Sequence, residues 1–134
     1  MTKGPKGNRI LPKKFTLMGQ EYTVSEEPNI MEVEEIYGDA DPNLKRIRVQ
    51  IPKVIKVNAD NIKAIKKRLR KLHKRVPKTL DTFEITKDDQ VETFYHELVH
   101  IILDAMGEDK LYSDERFVSL FGKLLHQIDS TKSY

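Results

Sequence analysis

Two histidines four residues apart, with a glutamate beside the first, are the side chains of this sequence best suited to chemistry: His96-Glu97-Leu98-Val99-His100. On a helix that spacing turns both imidazoles to one face, where they can converge on a single metal ion. Glu97 follows His96 by about 100° round the helix axis, so it flanks the ion and can reach a water there. Zinc at such a site lowers the pKa of its water toward ~7 and polarises a carbonyl. A carboxylate beside it can then serve as general base and later as general acid. The chemistry implied is amide hydrolysis, with His96 and His100 as metal ligands and Glu97 as the catalytic group.

A catalytic zinc takes a third protein ligand and keeps a fourth position open. The 134 residues include no cysteine, which excludes disulfides, zinc ribbons and thiol nucleophiles and leaves imidazole and carboxylate as donors. The candidates are Asp104, Glu108, Asp109, Asp114, Glu115 and His126. Asp104, one turn beyond His100, is better placed to hydrogen-bond a ligating imidazole than to ligate. Glu115 stands in the first turn of the following helix, which must fold back on the metal helix to bury its own apolar face. His126, about three turns further along, is expected to be a partly exposed helix residue, and His73 lies in a basic run away from the site. A donor to a developing oxyanion is also needed, and Tyr112 and Tyr37 are the candidates.

The elements that must position these groups are legible in the patterning. Residues 1–14 hold two glycines, two prolines and five basic residues, the composition of a mobile basic tail. Phe15-Thr16-Leu17 and Tyr22-Thr23-Val24 read as a hairpin with Gly19 in the turn. Residues 30–37 and 47–51 alternate as strands around a turn at 38–43, so a small antiparallel sheet of three or four strands is expected. Over 58–77, Ile62, Ile65, Leu69, Leu72 and Val76 form the stripe of an amphipathic helix, capped by Asn58 or Asp60 and stopped by Pro77. A short strand at 82–86 precedes the metal helix. That helix is expected over about 90–106, with Asp88 or Asp89 as its cap, Asp89 and Glu92 at capping-box spacing, and Gly107 closing it. A last helix starts near Ser113 or Asp114 and carries Phe117, Leu120, Phe121, Leu124, Leu125 and Ile128 on one face.

Charge is unevenly spread. Nine Lys or Arg lie between Ile62 and Lys78 with no acid among them, five more lie in the first fourteen residues, and the remaining ten face all 21 acids, a net −11. The basic helix at 62–78 is therefore a candidate contact for nucleic acid or an acidic protein partner. No aromatic residue interleaves with it other than His73, which argues against stacking on single strands. No apolar stretch approaches the roughly 20 residues of a membrane span, and none follows the basic start as a secretory leader would require. With 38% hydrophobic and 34% charged residues, one soluble globular domain in the cytoplasm is the expectation.

The stretch Thr93-Phe94-Tyr95-His96-Glu97-Leu98-Val99-His100-Ile101-Ile102-Leu103-Asp104, followed by Glu115-Arg116-Phe117-Val118-Ser119-Leu120-Phe121-Gly122, resembles small gluzincin-type zinc metallopeptidases. It is most similar to ImmA/IrrE-type enzymes and to short HExxH proteins encoded by phages. The ImmA/IrrE pattern E-x-x-A-N-x-F-A is matched at Glu115 and Phe121, with Val118, Ser119 and Gly122 standing for its Ala, Asn and Ala. Tyr37-Gly38-Asp39 and Ile47-Arg48-Val49 look similar to a Tyr-Gly turn and an Ile-x-Ile strand ahead of the metal helix in the phage proteins. The SprT-like class would place a histidine at position 113, where this chain has Ser113. The resemblance implies one zinc per chain held by His96, His100 and Glu115, a protein or peptide substrate, and an α+β fold. That fold is a minimal zincin-like domain over 15–134: a small antiparallel sheet packed on the metal helix, a ligand-bearing helix after it, and the basic helix 58–78 as an insertion.

Overall fold

The structure, a computed structural model, describes residues 11–71 and 74–133. Its mixed α and β elements agree with the α+β expectation, although several differ in kind or register. Strands β1 (Lys14–Leu17) and β2 (Gln20–Glu27) form the expected hairpin, and the rings of the cross-strand pair Phe15 and Tyr22 stack 5.3 Å apart. The basic start is less detached than its composition suggests, since Leu11 is buried in the core and Lys14 already belongs to β1. Residues 1–10, and with them most of the expected tail, lie outside the described residues, as do Leu72 and His73.

The segment 30–37 is not a strand. Helix α1 (Ile30–Glu34) forms there, with the adjacent Ile30 and Met31 both buried, an arrangement that strand alternation cannot produce. The cause lies in the buried amide of Gln50, which accepts a hydrogen bond from Met31 N at 2.9 Å and donates one to Pro28 O at 2.7 Å. Glu35, in the left-handed region with φ 59°, ends the helix. The expected turn at 38–43 is instead mostly strand β3 (Gly38–Asp41), antiparallel to β4 (Arg46–Gln50). Arg48 holds this pairing by gripping Asp39 opposite it and Glu34 of α1. The turn itself moves to 42–45, where Asp41 Oδ1 accepts from the backbone of Asn43 and Leu44.

The sheet order is β1-β2-β4-β3, and β2 pairs parallel to β4, so the sheet is mixed rather than antiparallel. A parallel neighbour requires a crossover, and the segment containing α1 and β3 supplies it. Strand β5 (Lys53–Lys56), absent from the sequence reading, pairs with β6 (Thr82–Ile85) in a separate two-stranded sheet. Against this ribbon packs α2 (Ile62–Lys71), burying Ala64, Ile65 and Leu69 with Met31, Ile55 and Ile85. Asn58 Oδ1 accepts from Asp60 N and Asn61 N in the turn that leads into α2. Lys74, Arg75, Pro77 and Lys78 are not helical, so the helix does not run on to Pro77. It forms one wall of the second apolar cluster.

Helix α3 (Lys87–Ala105) carries the two histidines and lies centrally. Its capping box is Thr86 with Asp89, not Asp89 with Glu92: Thr86 Oγ1 accepts from Asp89 N at 3.0 Å, and Asp89 Oδ2 accepts from Thr86 N at 2.9 Å. Val91, Phe94 and Ile101 face Tyr22, Ile47 and Val49 of the larger sheet, while Val99 and Leu103 pack on Val118 of α5 (Glu115–Thr131). Gly107, at φ 73°, closes the region as expected, and a short α4 (Asp109–Tyr112) leads to α5. The face of α5 that meets α3 is Val118, Gly122 and His126, spaced by four. Leu120, Phe121, Leu124 and Ile128, expected to be buried, are exposed, because the glycine stripe permits closer helix packing than the bulky one. No described helix is long and apolar enough to cross a membrane.

At the crossing, a Cβ on Gly122 would lie 3.1 Å from both Cα and N of His96 and 3.3 Å from the Tyr95 carbonyl carbon. These are backbone atoms within a helix and cannot step aside. Replacing Gly122 by Leu should therefore push α5 outward and lower stability by about 1–3 kcal/mol, read as a fall in the urea midpoint. An unchanged midpoint would show that the two helices are not in close contact there.

Candidate metal centre

The geometry follows from α3 and α5 crossing at Gly122. His96 and His100 project from one face of α3 with ring centroids 5.1 Å apart. Asp114 caps α5 by accepting from Phe117 N at 3.0 Å, and the next residue, Glu115, extends over the two rings. Its Oε1 lies 3.0 Å from His96 Nε2 and its Oε2 lies 3.1 Å from His100 Nε2. One donor atom from each of the three residues falls within 4.8 Å of the others. Donors around a tetrahedral zinc at ~2.0–2.2 Å stand roughly 3.4 Å apart, so this set fits the ion with small adjustment. Oxygen and imidazole nitrogen are also the donor types zinc accepts.

The groups around the donors differ from expectation. Asp104 is exposed and makes no hydrogen bond to either imidazole among the described residues, so its expected supporting role is not realised. Ser119 takes that place: its Oγ lies 3.3 Å from His96 Nδ1, leaving Nε2 to face Glu115. The signal was present in the spacing, because Ser119 follows Glu115 by four on one face of α5. His100 Nδ1 is buried and has no hydrogen-bond partner among the described residues, while the Tyr112 ring sits 4.8 Å from the His100 ring. His126 is buried, not partly exposed; its Nε2 lies 3.3 Å from Asp88 and its ring stacks on Tyr95, away from the metal group.

Glu97 is only 8% exposed and lines the same cavity of about 530 Å³ as His96, His100 and Glu115. Tyr112 and Tyr37 both line it too. Burial raises the Tyr112 phenol above its usual pKa, as do the carboxylates of Asp104, Glu97, Asp41 and Glu115, so it remains a hydrogen-bond donor at neutral pH. Its contact with His100 makes it the tyrosine nearer the metal group. Tyr37 stands instead with Phe83 and Arg68 of the α2 lobe. Lys67 and Arg68 also line the cavity, so the basic helix borders the site, which its sequence did not disclose. No protein-family model, curated protein or solved structure matches this chain.

Ser119→Ala should weaken zinc binding about 10- to 100-fold, and Glu115→Ala should weaken it further, in competition titrations with a chromophoric chelator. Wild-type affinity in Glu115→Ala would remove Glu115 from the ligand set.

Proposed function

We propose that this chain is a zinc-dependent metallopeptidase of the gluzincin type, similar to the ImmA/IrrE-type and phage-encoded enzymes. One observation carries the reading: a single carboxylate, Glu115, contacts the Nε2 atoms of both His96 and His100, while Glu97 lies buried in the adjoining cavity. Three ligands with a fourth side open to a cavity are what a hydrolytic zinc site requires, whereas a structural site is closed by four protein ligands.

His96, His100 and Glu115 would hold the zinc ion, which when bound would supply Lewis acidity and an acidified water. Glu97 removes the proton from the water that attacks the peptide carbonyl carbon, and afterwards delivers a proton to the departing amine nitrogen as the C–N bond breaks. Tyr112, kept protonated by its surroundings, donates a hydrogen bond to the oxygen that gains negative charge. Ser119 holds the His96 ring in orientation. Strand β3 supports a peptide substrate as well, because it is the edge of the sheet and Gly38, Asp39 and Ala40 line the cavity. An extended chain can add to such an edge through backbone hydrogen bonds.

A second reading is a zinc-containing binding module that contacts nucleic acid or an acidic protein through its basic segment. The exposed Lys63, Arg70, Lys74, Arg75 and Lys78 favour it. A buried general base beside the metal group favours the enzyme, since binding alone has no use for one.

Glu97→Gln should retain one zinc per chain yet lose at least ~100-fold in kcat on a quenched-fluorescence peptide library. If the zinc-loaded wild type cleaves no member of that library, the peptidase reading fails and the binding module stands.

A further inference from the structure

Buried polar atoms in a folded protein nearly always find a partner, so those that do not call for an explanation. Among the described residues four buried side-chain atoms have none: Tyr37 Oη, Arg46 Nε, Arg68 Nε and His100 Nδ1. Three of these four residues line one cavity, the one holding the metal group. His100 is already accounted for as a ligand. Tyr37 and Arg68 are not, and they form a unit on the α2 side of the cavity. The Arg68 guanidinium carbon lies 4.0 Å from the centroid of the Tyr37 ring, and Phe83 braces that ring edge-on at 6.5 Å.

Both orphaned groups are hydrogen-bond donors. Burial raises the Tyr37 phenol well above its ordinary pKa; the charge of Arg68 and its side-chain interaction with the phenol lower it by less, and Asp89 adds to the rise, so it remains a neutral donor. Arg68 carries a permanent charge in a forked arrangement that matches a carboxylate. Neither Arg68 nor its neighbour Lys67 takes part in any ion pair among the described residues. The acids that share the cavity do not neutralise them. Asp39 is held by Arg48, Glu115 lies on the two imidazoles, and none of Glu35, Glu92 and Glu97 forms an ion pair with Arg68 among the described residues. A half-buried guanidinium without a counter-ion is costly unless something that binds there supplies one.

We propose that Arg68 and Tyr37, with Lys67 at the rim, form a carboxylate-binding subsite, so that the cavity selects peptides bearing an acidic group beside the segment at the metal group. The proposal rests on the peptidase reading for its substrate class, but binding tests it without requiring cleavage. An acidic side chain and a free C-terminus offer the same carboxylate, and the peptides can separate them.

Three fluorescein-labelled peptide sets serve as probes: C-terminally amidated peptides with one Glu moved through successive positions, the same peptides with Gln, and the Gln peptides with a free C-terminus. Each is titrated by anisotropy against the full chain carrying Glu97→Gln and loaded with zinc, and again with Arg68→Gln, Arg68→Lys or Tyr37→Phe added. A charge-assisted pair at this site should make the best carboxylate-bearing peptide bind about 10- to 100-fold tighter than its amidated Gln counterpart. Preference within the Glu set assigns the subsite to an acidic side chain, and preference within the free-terminus set assigns it to the chain end. Arg68→Gln should abolish the preference while leaving the amidated Gln peptides within about twofold, Arg68→Lys should restore part of it, and Tyr37→Phe, which keeps the ring, should reduce it. Equal binding of all three sets, or a preference unchanged by Arg68→Gln, overturns the subsite. Carboxylate preference in a protein whose zinc-loaded wild type cleaves nothing keeps the subsite and removes the peptidase reading.

Discussion

The distance of closest approach between α3 and α5 governs the arrangement of the site. At Gly122 even one added carbon would sit 3.1 Å from the backbone of His96, and that proximity sets where the start of α5 falls. Two turns before the crossing, the helix can extend a carboxylate over a pair of imidazoles on its neighbour. One turn before it, a hydroxyl meets the rear nitrogen of the first imidazole. Val118, wholly buried between Gly122 and the cap, holds α5 on the Val99 and Leu103 side of α3 by apolar contact. The cap at Asp114 and the left-handed Gly107 then reverse the chain over the few residues between the two helices. An α5 displaced outward by the width of a side chain would leave the same three residues unable to share an ion.

The rest of the molecule completes the cavity around that crossing. The larger sheet packs on α3 through Ile47 and Val49 and presents the edge strand β3 to the site. A second cluster, built from α1, α2 and the β5–β6 ribbon, closes the other side and brings Arg68 and Tyr37 to it. The two parts are joined at α1, whose start is pinned by the Gln50 amide and whose end is tied by Arg48 to β3. Burying Gln50 is tolerable because its amide oxygen and nitrogen both find backbone partners.

Short-range relations are legible in the sequence. The four-residue spacing of His96 and His100, the glycine after the metal helix, the Asp114 cap and the hairpin at Gly19 each depend on a few consecutive residues. Which face or partner a segment chooses is not legible there. Residues 30–37 alternate well enough for a strand, yet a buried glutamine nineteen residues away claims the Met31 amide and winds them into α1. The Asp-rich stretch from Gly38 has turn composition, yet Arg48 recruits Asp39 into a ladder and moves the turn beyond Asp41. On α5 the bulkier apolar stripe has the composition of a buried face, but helix packing selects the stripe containing Gly122, where the missing side chain allows closer approach.

By itself the sequence determined that one helix would carry two imidazoles and a carboxylate in register, that it would end at Gly107, and that another helix would begin beside Glu115. Those outcomes rest on helical periodicity, capping and backbone freedom, all of which act within a few residues. Tertiary structure decided that Glu115 and not Asp104 meets both histidines, that Ser119 supports His96, and that a basic helix from the other lobe borders the same cavity. Those outcomes rest on distances between helices and on the burial of polar groups far apart along the chain. Only the packed molecule sets such distances, because the close crossing at Gly122 and the second apolar cluster form when the elements meet.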